Sequence, residues 1–485
     1  MEKASGGVAA FECPVAQIDS DTDQILAKYD PPVPPVPRAW PLVGVLPDLA
    51  RDPYGFFQKY ARKHGDVVGL QIPGVSMVVI SHPTLVHDVL IRNWSRYSHS
   101  DPVFDDALLP GDPPGVATME GDEWKRTRRL LNPGFGEAAL KGVSPLIVEA
   151  IADNVAGWSQ WADTGKPFDI QHELAVLVMS GLARSMFNAP FDRKWMEQMI
   201  NGCYVHGTWV PKALGTYLFT KKLPSALGAI LRRPTFPWPH LASGKQNYRE
   251  VCAMLDGVIE AREKSPIAGE DLLGLLMSAR FDEGRGFTHD EIRSHLMTIL
   301  FAGHETTAAG VAWALAFLAL NPAELGRAEA EVRALGDRPL GYDLLADTPF
   351  LRACFDEALR LQGTPALPAY AEKDDVIGGF RIQPGTWVVL PMHAVHTDPR
   401  FWDEPEKFKP SRFIDGKVNR EAFFPFGAGP RKCLGMRMSY IEGVLALIEI
   451  IRRYRPSLPA GFVPDREFHM ATSIKELPMC IASRS

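Results

Sequence analysis

The sequence predicts a mainly α-helical chain with a small β lobe, and three observations carry that prediction. An apolar run at residues 296–320 has helical character and follows a capping-box pattern, Thr288-His289-Asp290-Glu291; Asn321-Pro322 ends it. A single cysteine, Cys433, sits in a glycine-punctuated loop at 423–435 that leads directly into a second apolar helical run at 436–451. Short β-rich runs separated by Pro-Gly turns lie towards both ends of the chain, at 67–72 and 76–81 and again at 380–382 and 387–390. These are expected to form one lobe from about 65–82 and 378–392.

Bulk properties narrow the function. With 46% hydrophobic and 23% charged residues among 485, the composition is that of an ordinary globular protein. A net charge of −6 and a pI near 6.1 argue against a nucleic-acid partner, which would require a basic field. Six cysteines, at 13, 203, 252, 354, 433 and 480, lack paired or metal-type spacing, which indicates a reducing compartment without a disulfide framework. The first 24 residues are rich in acids and carry no signal or anchor pattern, so a cytoplasmic protein with no integral membrane segment is expected. Residues 296–320 could span a bilayer by length, but Gly303-His304-Glu305-Thr306-Thr307 interrupts them and favours a buried helix. The expected organisation is a tail and Pro-rich lead-in at 1–38, loosely held before Pro31, followed by one domain at 39–485.

In chain order, a helix over 53–64 ends at Gly65, and the first hairpin follows. Residues 97–119 form a loop with Phe104, Leu108 and Leu109 exposed by pattern; long ordered loops are usually functional. Residues 121–131 read as a basic helix in which Trp124 and Arg128, four apart, share a face; taken alone, a solvated basic face with one Trp packed down is the simpler explanation. The stretch 140–275 is helical without a catalytic signature. Its aromatic-rich part, including Trp209, Tyr217, Phe219, Phe236 and Trp238, is either core or a lid over an apolar channel.

The long apolar helix would measure roughly 48 Å over some 32 residues. At its middle, Ala302 and Gly303 would leave the surface bare for a flat ring, and Glu305 and Thr306 put an acid and an alcohol among apolar neighbours. Thr306 could instead bond back to its own helix. Another helix opens at Asp347-Thr348-Pro349 and closes at Gly363, with Glu357 and Arg360 on one face and Cys354 as a small core residue. In the cysteine loop, Gly427, Gly429 and Gly435 permit left-handed or tightly bent backbone. Backbone N–H groups and the following helix would lower the pKa of Cys433 and favour a metal-binding thiolate; an inert buried thiol is the alternative.

Phe426-Gly427-Ala428-Gly429-Pro430-Arg431-Lys432-Cys433-Leu434-Gly435 closely resembles the F-G-x-G-x-R-x-C-x-G loop of the cytochrome P-450 family, the haem-thiolate monooxygenases. The other motifs agree in order. Ala302-Gly303-His304-Glu305-Thr306-Thr307 resembles the family's oxygen-activation motif; Glu357, Arg360 and Arg412 resemble its structural triad; Trp124 and Arg128 resemble its propionate-holding pair. The resemblance runs from about Trp40 to the C-terminus. It implies a long central helix over haem b and a cysteine loop below. Cys433 would be the iron ligand, Phe426 would pack near the sulfur, and Arg431 would pair with a propionate; Ala302, Gly303 and Gly435 would border the ring. Thiolate ligation favours O–O cleavage.

The sequence departs from the family at residues 364–370, which lack the basic residue many relatives use for a propionate, and at Ser411, where an acid is common. The implied activity is insertion of one atom of O₂ into an apolar small molecule such as a lipid, steroid, terpenoid or polyketide. A peroxide-driven haem-thiolate enzyme and a non-catalytic haem sensor are the rivals. Electrons would come from NAD(P)H through a separate ferredoxin or flavodoxin type protein, because no flavin or nicotinamide module follows Ser485. Lys125, Arg126, Arg129, Lys432 and Arg437 would offer that protein a basic face. A monomer is expected, with Phe104, Leu108, Leu109, Met119, Trp209, Ala302, Leu367 and Thr472 shaping the substrate pocket.

Overall fold

The computed structural model describes residues 19–28, 30–40, 43–72, 75–99, 108–189, 191–221, 239–265, 271–416, 418–468 and 471–484. Phe104, Phe236, Trp238, Cys13 and the Pro73-Gly74 turn lie outside them, as do the side chains of Tyr217 and Phe219.

The central helix runs His289–Leu320. Thr288 caps it, its side chain accepting from the Glu291 N–H while Glu291 reaches back to the Thr288 N–H. Most of its length is buried against three other helices, Ile170–Phe187, Pro349–Gln362 and Met436–Arg453. Three of these four helices meet around the Phe355 ring. A Cβ on Gly310 would stand 2.8 Å from that ring and one on Gly443 2.7 Å, so glycine at both positions allows the backbones to close on it. Among the described residues no single helix is long and apolar enough to cross a membrane.

The β lobe is a five-stranded sheet in the order Val67–Ile72, Val75–Ile80, Trp387–Leu390, Leu367–Ala371, Tyr97–Ser98. Val75–Ile80 and Trp387–Leu390 are parallel and the other neighbours antiparallel, so the two distant parts of the chain do share a sheet. One expected strand goes elsewhere. Phe380–Ile382 pairs with Asp375–Ile377 in a separate ribbon, because the tight Gly378-Gly379 turn, with φ of +57° and +83°, folds it back on its immediate predecessor.

Residues 19–28 are a helix rather than the loose tail expected there. Thr22, 5% exposed, donates to the buried Asp375, which also accepts from Asn93 and Tyr97. Further along, the Arg381 N–H donates to Pro32 O and the Gly69 N–H to Pro35 O, which fastens the proline-rich segment across the lobe.

Candidate functional site

The loop around Cys433 is shaped by two left-handed glycines, Gly427 and Gly429, each at φ +69°. A Cβ on Gly429 would lie 2.0 Å from Leu90 O, so no other residue allows the loop this close to Asp88–Arg92. Gly435 differs from the expectation: its φ is −81°, an ordinary value. A Cβ there would meet nothing within 4 Å. The Cys433 N–H donates to Phe426 O at 2.9 Å, which closes the loop on itself at the cysteine. The Phe426 ring lies 5.2 Å from that of Tyr440.

Cys433 is exposed, although protein crowds around it. Burial pushes its thiol pKa up. That corrects the sequence expectation of a lowered value: the Gly435 and Met436 N–H groups, Arg128 and Lys432 do pull downward, but desolvation outweighs them.

On the central helix, Ala302 is exposed between buried Phe301 and His304. Gly303 is not the bare platform expected: the direction its side chain would take meets Leu182 at 3.2 Å, so the glycine serves contact with the neighbouring helix. Thr306 Oγ1 donates to Ala302 O at 2.9 Å, the back-bond the sequence left open. Glu305 points elsewhere and accepts from Ser473 at 3.2 Å. The helix is tied to the cysteine helix by Thr307, which donates to Ser439 at 3.0 Å.

Beside the loop, Trp124, Arg128 and Arg431 come together. Trp124 is buried, and the Arg431 guanidinium lies 3.9 Å from its ring centre. Arg431 donates to Met119 O at 2.8 Å and pairs with Glu120, and burial lowers its pKa to about 10. Arg128 donates to Lys432 O at 2.7 Å. His99, which the sequence analysis did not single out, belongs to the same cluster. Its N–H donates to Glu120 at 2.9 Å, while both ring nitrogens are buried without a hydrogen-bond partner. Burial, with Arg431 nearby, holds the ring neutral with a pKa lowered to about 4.

Glu357, Arg360 and Arg412 form one buried cluster. Glu357 accepts from Arg360 at 2.7 and 2.9 Å, from Arg412 at 3.0 Å and from the Lys409 N–H at 2.9 Å. Arg360 spends its other donors on His396 O and Pro405 O. His396, with a pKa lowered to about 3 by burial, accepts through Nε2 from the Phe424 N–H, so the cluster is wired to the start of the cysteine loop.

The expected pocket residues divide. Leu108 and Leu109, predicted as exposed, are 6% and 3% exposed; they pack into the main core, where His206 binds Leu108 O at 2.7 Å. Trp209 stacks on the same imidazole, and Phe301 meets it edge-on. Met119 is buried at the Arg431 contact. Leu367 lies 3.5 Å from where a Gly427 Cβ would stand. Thr472 does not point into a pocket: it is 1% exposed and its hydroxyl donates to Gly363 O. A separate groove of about 600 Å³ crosses the outer sheet at Val36, Leu70, Met77 and Arg381, away from all these groups.

The residues present fit a flat, dianionic iron porphyrin. Cys433 is exposed, a Cβ on Gly435 would meet nothing within 4 Å, Ala302 is exposed on the central helix, and Arg128, Arg431 and an unpartnered His99 offer donors beside the cysteine loop.

A family model, Cytochrome P450, matches residues 34–480. The chain is 30% identical over 413 residues to cytochrome P450 132 of Mycobacterium tuberculosis, covering 83% of this chain and 87% of that protein. It is 27% identical over 442 residues to cytochrome P450 3A6 of Oryctolagus cuniculus, covering 87% and 85%. Among solved structures, a cytochrome P450DA heme domain superposes with a TM-score of 0.78 at 25% identity, covering 94% of this chain and 97% of that one. The chain therefore belongs to the cytochrome P450 family. It is an oxidoreductase of the monooxygenase type with a cysteine-ligated haem.

Proposed function

We infer that Cys433 is the haem ligand and that the enzyme oxygenates an apolar small molecule. Electrons would come from NAD(P)H through a separate ferredoxin or flavodoxin type protein. The observation that carries this reading is an exposed Cys433 on a loop that brings Trp124, Arg128 and Arg431 together. Haem, when bound, supplies the iron centre at which O₂ is activated and one oxygen atom is inserted. Trp124, Arg128, Arg431 and His99 would hold its carboxylates, His99 supplying a donor where residues 364–370 carry none. Ala302 leaves room beside the reacting position, and Thr306 can turn its hydroxyl from Ala302 O towards it, handing on a proton that Glu305 replaces. Leu108, Leu109, Met119, Trp209, Phe301 and Leu367 would exclude water and favour an apolar substrate. Lys125, Arg126, Arg129, Lys432 and Arg437 are all exposed near the loop, which suits an acidic electron donor.

The test is a titration of the haem-loaded protein with fatty acids, steroids, terpenoids and polyketides. A substrate-induced shift of the haem spectrum should occur, with a product containing one oxygen atom from ¹⁸O₂ when surrogate redox partners and NADPH are added. Peroxide-supported product without label from ¹⁸O₂ would contradict this reading.

A further inference from the structure

Glu305 and Thr306 are consecutive on a helix and so project about 100° apart. What meets Glu305 is a segment distant in sequence. Arg466–Phe468 and Thr472–Ile474 form an antiparallel ribbon, and Ser473 on its second strand donates to Glu305 Oε1 at 3.2 Å. Ser473 is 5% exposed, so this hydroxyl reaches the acid from inside the protein. The strand is fixed at the residue just before the contact: Trp313 Nε1 donates to Thr472 O at 2.8 Å, and Thr472 Oγ1 donates to Gly363 O at 2.7 Å. Ser473 is thus held in register against the central helix rather than resting on it by chance.

The surroundings connect this contact to the surface. Ser473 stands directly opposite Glu467 in the ribbon, so their side chains share a face. Helix Arg193–Lys221 carries two groups that feel these acids. Cys203 there is raised to about 12, mainly by burial and then by the charge of Glu305. Tyr204, 47% exposed, is raised by burial and then by both Glu467 and Glu305. The acid therefore sits at the inner end of a polar seam whose outer end is open to water.

Resting on the monooxygenase reading above, we propose that Ser473 is the positioning residue for Glu305. Its hydroxyl holds the carboxylate in the orientation from which Glu305 resupplies the proton that Thr306 hands inward.

The test compares Ser473→Ala, Ser473→Thr and Glu305→Gln in the haem-loaded protein. Without substrate or turnover, the Glu305 carboxylate band in the infrared, identified by its loss in Glu305→Gln, should shift in Ser473→Ala and return in Ser473→Thr. Under saturating substrate, product per NADPH consumed should fall by about tenfold in Ser473→Ala, the scale of one hydrogen bond to a charged group. Haem content and KM should be unchanged, and threonine should restore the yield. An unmoved band, or an undiminished yield in Ser473→Ala, would overturn the proposal. An undiminished yield in Glu305→Gln would overturn it too, by removing Glu305 from proton delivery, while leaving the Cys433 reading to its own spectral test.

Discussion

At the residue scale, Thr306 makes the sharpest distinction between packing and chemistry. Its hydroxyl donates to Ala302 O beside the exposed alanine, so losing it deletes little volume and frees one carbonyl that can meet water. Thr306→Ala should keep haem content and substrate affinity, with a stability loss of about 1 kcal/mol or less. Hydrogen peroxide per NADPH should rise and product per NADPH should fall. An unchanged product yield would reduce Thr306 to a helix residue bonded to its own backbone. Reading at this scale was only partly possible from sequence. Cys433, Trp124, Arg128 and Arg431 could be named because their motifs are compact. His99 and Ser473 could not, because each acquires meaning only from a partner on another element; Ser473 lies 168 positions from Glu305. Gly303 was misread for a related reason: a helical motif names the residue but not the side of the helix that a neighbour will occupy.

At the element scale, the Glu357 cluster joins the helix Pro349–Gln362 to the segment that delivers the cysteine loop. Glu357 and Arg360 are both fully buried, so removing one strands the charge of the other. Glu357→Ala or Arg412→Ala should cost about 3 to 5 kcal/mol and yield little haem-loaded protein. Haem per polypeptide and urea denaturation measure both effects. A fully loaded Glu357→Ala protein of normal stability would show that the cluster does not support the loop. Element boundaries were legible where caps and turns are local: residues 121–131, 289–320 and 349–362 begin and end where Gly121, Thr288, Pro349, Asn321 and Gly363 suggested. The strand Phe380–Ile382 was misassigned because a three-residue strand carries no signal for its partner, which the Gly378-Gly379 turn selects.

At the scale of the whole molecule, buried imidazoles set the response to acid. Burial lowers His206, His295, His304 and His393 to about 4 and His396 to about 3. From about pH 6.5 downward the unfolded chain binds protons at these rings and the folded chain does not, so stability falls as pH falls towards about 4. Asp356, raised to about 6 by burial, and Glu442, Asp88, Glu120 and Glu331, also raised by burial, act in the opposite sense, but with His87 and His99 the lowered rings outnumber them seven to five. Thermal midpoints should therefore decrease from pH 7 to pH 5. A flat or rising series would mean that these rings are solvated.

The central claim is that Cys433, exposed on the loop beside Trp124, Arg128 and Arg431, supplies the thiolate to haem. The most direct measurement is the absorption spectrum of the reduced protein under carbon monoxide. The intact protein should show the strongly red-shifted Soret band of thiolate ligation, and Cys433→Ala should lose it. Retention of that band in Cys433→Ala would contradict the account by placing the ligand elsewhere in the chain.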